Sequence, residues 1–308
     1  MASSRLRNQN FARLQSFPYN PPIVTTVVAT VVIATINKLI GIFVVSRTQL
    51  DLIAQAVLAN DAQSLRVQLQ AAASVNIRLP KRKNRPAGET PLMLAAERGS
   101  LSTARLLITL GANLNETNEY RQPSLLYAVR GNSPGVVNLL LKSGADPNFV
   151  MADGEFVLRE AATAAIDLRI CRALLKHGAD ATIANKMGST ALHIAAFHGR
   201  IDIVRQLIRA RADVNQRDRV GHGPLACSIS RGRSDVSIHL LKHGADPVLQ
   251  PEALGVAAWE GQLRIVELLI EKGWDIHSKA HQGRTPLQHA RNRNRKSVVN
   301  LLISAGAR

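Results

Sequence analysis

Two histidines, His239 and His243, stand four residues apart in a stretch with helical periodicity. That spacing places both imidazoles on one helix face, where they could hold a transition metal. The surrounding sequence supplies no third ligand in a recognised zinc arrangement. His243 precedes Gly244 as His177 precedes Gly178. Both sit at predicted helix ends, where a cationic ring meets the negative end of the helix dipole. Cys171 and Cys227 fall on apolar helical positions, without the His and Asn partners that a nucleophilic thiol needs. They read as small buried hydrophobes. No G-x-S-x-G, no H-E-x-x-H and no Gly-rich phosphate loop occurs. No catalytic residue, cofactor or metal is therefore expected, and the chain reads as non-enzymatic.

The elements around these residues follow from composition. The chain has 308 residues, 46% of them hydrophobic, which is enough for a sizeable core. Aromatics make up only 4%, against a large sandwich or barrel. Two cysteines exclude a disulfide scaffold and a four-thiolate zinc site. The formal charge of +17 favours anionic partners: nucleic acid, an acidic membrane face or an acidic protein.

From about residue 49 onward the sequence repeats. Gly-Ala pairs, with Arg211-Ala212 and Gly273-Trp274 in equivalent places, recur at spacings of 33, 34, 33, 33, 29 and 33. A second landmark precedes each pair by about 19 residues: Leu92, Leu125, Leu158, Leu192, Leu225, Leu254 and Leu287. Thr90-Pro91-Leu92 and Thr285-Pro286-Leu287 open units, as does Thr190-Ala191-Leu192-His193. Gly111 to Asn115, Gly144 to Asn148 and Ala212 to Asn215 close them. This pattern resembles the ankyrin repeat, over about residues 51–308.

The resemblance implies an all-α solenoid of about eight stacked helix pairs with projecting β-hairpin fingers. A degenerate first unit lies near Ile53, and Arg291 marks the atypical last one. Threonine at a helix start suits capping, and proline after it suits the first turn. In this family the His193 position ties a hairpin to its helix by hydrogen bonds. Two departures stand out. Residues 79–86 lengthen the first junction, and the junction after Asp246 is four residues short. The short one predicts a missing finger and a gap beside the unit containing Trp259.

The resemblance also implies protein binding through a concave face. One column follows the Ala-Ala position: Glu97, Arg130, Thr163, Phe197, Ser230, Trp259 and Asn292. Phe197 and Trp259 are the expected anchors, with Ser230 between them and Arg231 placed to meet an acidic group. Glu97 and Arg130 extend this partner-binding set. Basic residues form two further clusters, Lys81-Arg82-Lys83-Asn84-Arg85 and Arg291, Arg293, Arg295, Lys296. The first resembles a nuclear-import signal. A soluble module binding nucleic acid or phosphorylated partners is the alternative, although no stacking aromatics are interleaved with these clusters.

Residues 1–20 are polar and basic, and no acid precedes Asp51. Residues 21–48 are largely apolar. The run Ile23 to Val45 would span about 34 Å as a helix, enough to cross a bilayer. A retained single membrane helix is the expectation. A cleaved secretory signal or a mitochondrial presequence are the alternatives. The positive-inside rule places residues 1–20 in the cytosol; the usual intracellular setting of such repeats points the other way.

Overall fold

Short apolar runs punctuated by Gly, Asn and Pro fold as pairs of short helices. The computed structural model describes residues 45–72, 74–81, 86–246, 248–279 and 283–308. Eight pairs follow one another. They begin with α1 (Arg47–Leu58) and α2 (Ala62–Ala71), α3 (Pro91–Glu97) and α4 (Leu101–Thr109), and α5 (Ser124–Arg130) and α6 (Pro134–Lys142). Next come α7 (Val157–Ala161) and α8 (Leu168–Lys176), then α9 (Ala191–His198) and α10 (Ile201–Arg209). The last three are α11 (Pro224–Ile229) and α12 (Ser234–Lys242), α13 (Glu252–Glu260) and α14 (Leu263–Glu271), and α15 (Pro286–Asn292) and α16 (Lys296–Ser304). First helices stack on first helices and second on second, which makes one all-helical solenoid.

The repeating leucines are the reason the units stack. Leu92, Leu125, Leu158, Leu192, Leu225, Leu254 and Leu287 are each no more than 1% exposed. Truncating any one of them removes about 2–5 kcal/mol. Ala95-Ala96, Ala195-Ala196 and Ala257-Ala258 are fully buried, which keeps the first helices thin. Thr90 and Thr285 accept from the Met93 and Gln288 N–H groups, at 3.3 Å each. Thr190 differs, because its hydroxyl meets the His193 ring at 2.9 Å. Second helices end on a left-handed glycine, such as Gly178 at φ 87° and Gly244 at φ 93°. Arg211 holds the same place at φ 65°.

The fingers are minimal hairpins. Among the described residues they carry isolated bridges at Thr117–Pro123, Val150–Phe156 and Ala184–Thr190, rather than strand ladders. The asparagine at the close of each motif does more than favour a turn. The Oδ1 atoms of Asn115, Asn148 and Asn215 accept the N–H of Asp146, Asp180 and Asp246 in the next unit, at 2.8–3.0 Å. The motif is thus a tie between units.

Two expectations are refined here. The short junction holds a single turn at 248–249 before α13, and the fully buried Gln250 packs behind it. Gln250 Nε2 donates to Val214 O (3.0 Å) and Asn215 Oδ1 (2.8 Å), and its Oε1 accepts Leu225 N–H at 3.2 Å. Trp274, standing where other units have Ala, is 3% exposed and donates Nε1–H to Gln250 O at 3.0 Å. A large indole therefore packs against the back of the short junction.

The second change concerns the apolar segment. Residues 21–44 lie outside the described residues, and no described helix is long and apolar enough to cross a membrane. The end of the 21–48 stretch belongs to the first unit. Val45 packs on the core, Ser46 caps α1 through Gln49 N–H (3.2 Å), and Arg47 begins that helix.

Candidate protein-binding face

Phe197 near the end of α9 and Trp259 near the end of α13 occupy equivalent positions two units apart, and both are half-buried. The alanines before them fill the unit core, so the next residue turns toward solvent. Each ring carries an arginine from the following unit. The Arg231 guanidinium lies 4.1 Å from the centre of the Phe197 ring, and that of Arg293 lies 4.5 Å from Trp259. Arg231 follows α11 and Arg293 follows α15, at the same place in their units. The positive charge sits on the electron-rich ring face. His289 meets Trp259 edge-on at 5.7 Å, which joins the last two units.

Positive charge converges on this half of the chain. His198 is held below the ordinary histidine range, first by burial and then by Arg233, Arg200, Arg231 and Arg159. Arg200 turns inward, donating to Ala164 O at 2.9 Å and Ile166 O at 2.7 Å. Among the described residues no carboxylate pairs with Arg231, Arg233, Arg291 or Arg293.

The other residues singled out from sequence divide by place. Ser230 is exposed, but its hydroxyl donates to Cys227 O at 2.9 Å. Arg130 faces Glu160 at 3.5 Å, and Glu97 stands one unit before it with an interaction of its own. Both lie in the N-terminal half, away from the aromatic pair. Arg295 is turned inward, donating to Trp259 O at 3.2 Å. Arg291 and Lys296 are exposed and line an open cleft of about 280 Å³ with Asn294, Val299 and Asn300. Lys81 is exposed, whereas Arg82, Lys83 and Arg85 lie outside the described residues.

The residues with catalytic or metal-binding types have structural surroundings. His193 Nδ1 accepts Thr190 N–H at 3.2 Å, so Nε2 carries the proton and donates to His222 O at 3.2 Å. Burial holds this ring below the ordinary histidine range. The His239 and His243 rings lie 4.0 Å apart, and His243 Nδ1 bonds to His239 O at 2.8 Å. Burial pushes the thiols of Cys171 and Cys227 up to about 12.

Sequence reasoning passed over Gln250 and Glu252. Glu252 is buried, and its Oε1 accepts Gly223 N–H at 3.2 Å while Arg217 stands 3.5 Å from Oε2. The shortened spacing was the available signal, but it does not say which side chains refill the space.

Comparisons with known proteins agree with this architecture. Models described as ankyrin repeats match residues 53–151, 158–251 and 254–303. The chain is 28% identical to the ankyrin repeat protein YahD of Escherichia coli (strain K12), over 73% of this chain and 98% of that protein. It is 32% identical to human B-cell lymphoma 3 protein, over 72% of this chain and 51% of that one. The E3 ubiquitin-protein ligase KEG of Arabidopsis thaliana is 29% identical, over 71% of this chain but only 15% of its own length. The structure of the human ASB11 ankyrin repeat domain superposes with a TM-score of 0.63 at 25% identity, covering 71% of this chain and 99% of that one. The eight stacked helix pairs, the recurrent leucines and the inter-unit asparagine ties have one account: the chain belongs to the ankyrin-repeat family.

Proposed function

We propose that the protein is a non-enzymatic binding module or scaffold that holds a partner protein along its first helices, chiefly in the fifth to eighth units. The observation that carries this reading is the pair of half-buried rings, Phe197 and Trp259. They stand two units apart, each under a guanidinium that no carboxylate of the described residues neutralises. Aromatic and arginine side chains in such settings anchor protein interfaces. The same positive field favours an acidic partner. Residues 21–44 tether the module to a membrane as a single span; their apolar composition and length support this.

The test is affinity capture with the full chain, wild type against Trp259→Ala and Phe197→Ala, read by mass spectrometry. A partner retained by wild type and lost by both variants is the expected result. A partner held equally by all three moves the site elsewhere, first to the cleft at Arg291 and Lys296. Binding that is abolished by moderate salt and competed by nucleic acid replaces this reading with the nucleic-acid one. The tether is tested separately: the full-length protein resists carbonate extraction, and recovery of uncleaved protein in the soluble fraction refutes the span.

A further inference from the structure

The short junction interrupts the row of fingers between the sixth and seventh units. The two most exposed large hydrophobics of the described residues border this interruption, Val248 at 80% and Val220 at 62%. Leu249, beside Val248, is 48% exposed. Val220 stands at the tip of the last finger before the interruption, and Val248 in the turn that takes the place of the next one. Val248 holds the position of Asn215, two residues after an Ala-Asp pair. An aliphatic side chain in water thus replaces the amide by which Asn115, Asn148 and Asn215 tie their units to the next.

Neighbouring fingers are joined through their backbones. The Arg219 N–H donates to Met187 O at 2.9 Å, and at the equivalent place the Glu119 N–H donates to Ala87 O at 3.3 Å. The acceptor that follows Met187 O in this series is Val220 O. Its donor would stand on the absent finger, and no backbone N–H of the described residues takes its place. The Val220 N–H is already engaged by Asp218 Oδ1 at 3.0 Å. The tip therefore offers one acceptor and one aliphatic side chain. The finger that carries it is held from its base: Arg217 Nε donates to Gly221 O at 2.8 Å, and the Gly223 N–H to Glu252 Oε1 at 3.2 Å. Behind Val248 and Leu249 the junction is closed by the buried Gln250 and Trp274.

Resting on the protein-binding reading above, we propose that this notch receives a β-turn loop of the partner protein with an aliphatic residue at its tip. The aliphatic side chain covers Val220, Val248 and Leu249, and a loop N–H donates to Val220 O as the Arg219 N–H does to Met187 O. One unit of the stack is about 8–10 Å wide, and the two segments of a turn, about 5 Å apart, fill that width with their side chains. A helix does not serve, because its N–H groups are already bonded within it. Backbone pairing onto an open edge is a general mode of peptide recognition, and burial of the exposed aliphatic surface drives it. Arg219 adjoins Asp218 in the chain, so shape and apolarity, rather than charge, select the occupant here. The fixed finger lowers the ordering cost of docking.

The experiment is selection of a display library of short disulfide-closed loops on the immobilised full chain. Selected loops are expected to share Val, Ile, Leu or Met at the tip. As synthetic peptides they should lose about tenfold or more in affinity to Val220→Asp and to Val248→Asp. Both changes fall on exposed side chains and should keep the wild-type circular dichroism spectrum. An ester in place of the amide that donates to Val220 O should cost the peptide about two- to tenfold. Restoring the finger, with residues 214–222 copied in place of 247–251, should abolish binding. Loops that bind both valine variants as tightly as wild type overturn the notch, as do selected tips without an aliphatic residue or a library that enriches nothing. An ester as tight as the amide overturns the backbone pairing. Self-association of the wild type that Val220→Asp abolishes, read by sedimentation velocity, replaces the partner with a second copy. The two readings fail differently. Loops that need Phe197 and Trp259 but ignore both valine changes overturn the notch alone. Loops that need the valines but bind Phe197→Ala and Trp259→Ala unchanged support the notch and overturn the rings as the anchors.

Discussion

Replacing Trp259 by alanine tests the link between the last two units. The indole bridges them through two contacts. Arg293 lies 4.5 Å over its face, worth about 0.5–1 kcal/mol at an exposed site. The His289 ring meets it edge-on at 5.7 Å, worth about 0.5–1.5 kcal/mol. Trp259→Ala should therefore cost about 2 kcal/mol of folding stability. The Arg295 bond to the Trp259 carbonyl survives the change, because it uses the backbone. The last unit should thus loosen rather than detach. The assay is urea unfolding followed by far-UV circular dichroism. The chain has two tryptophans, so the variant also leaves Trp274 as its single indole reporter. A cycle with Arg293→Gln should show a coupling of about 0.5–1 kcal/mol. A variant within about 0.3 kcal/mol of wild type, or a coupling near zero, would refute the reasoning. Binding losses in Trp259→Ala are then to be measured where the variant is fully folded.

Arg211→Gly should raise stability by about 0.5–1 kcal/mol. The left-handed backbone costs a side-chain-bearing residue about 1–2 kcal/mol, and the entropy of glycine in the unfolded chain returns part of that; thermal unfolding reads the difference. Burial raises the Glu252 carboxyl above its ordinary value of 4.5, so its contribution is fully present below that value and lost as pH rises through the raised one. Glu252→Gln should accordingly be more stable than wild type at pH 7, with the advantage shrinking toward pH 4 in denaturant titrations. His193 acts in the opposite sense: its lowered folded value means that stability is lost as pH falls below about 6.5. His193→Gln should flatten that loss in the same titrations. Cys171 and Cys227, both pushed to about 12, should resist a thiol reagent at pH 8 until urea is added. Rapid labelling of Cys171 in the folded protein would contradict its burial.

Much of the site was legible because a repeat protein writes its geometry into its spacing. Once Leu192 and Leu254 were aligned, Phe197 and Trp259 had to share a column. The arginines were harder to read. Arg231 looked free to meet a partner's acid, yet its nearest companion is the Phe197 ring of the preceding unit, 34 residues away in sequence. Arg295 looked like part of an exposed cluster, yet a carbonyl 36 residues earlier turns it inward. Both contacts depend on the offset between neighbouring units, which a one-dimensional alignment does not contain.

By itself, the sequence determined the stacked helix pairs, their number and the order of residues along each face. Those properties depend on local periodicity and on turn chemistry that repeats about every 33 residues. The short junction was visible as a number, 29 in place of 33. Only the tertiary structure decided what happened to the volume it left. Gln250 is buried and bonded to the backbone of the preceding unit, and Trp274 closes over it from the following motif. A close-packed interior leaves no void behind the junction, but which side chains pack there depends on contacts between residues distant in sequence.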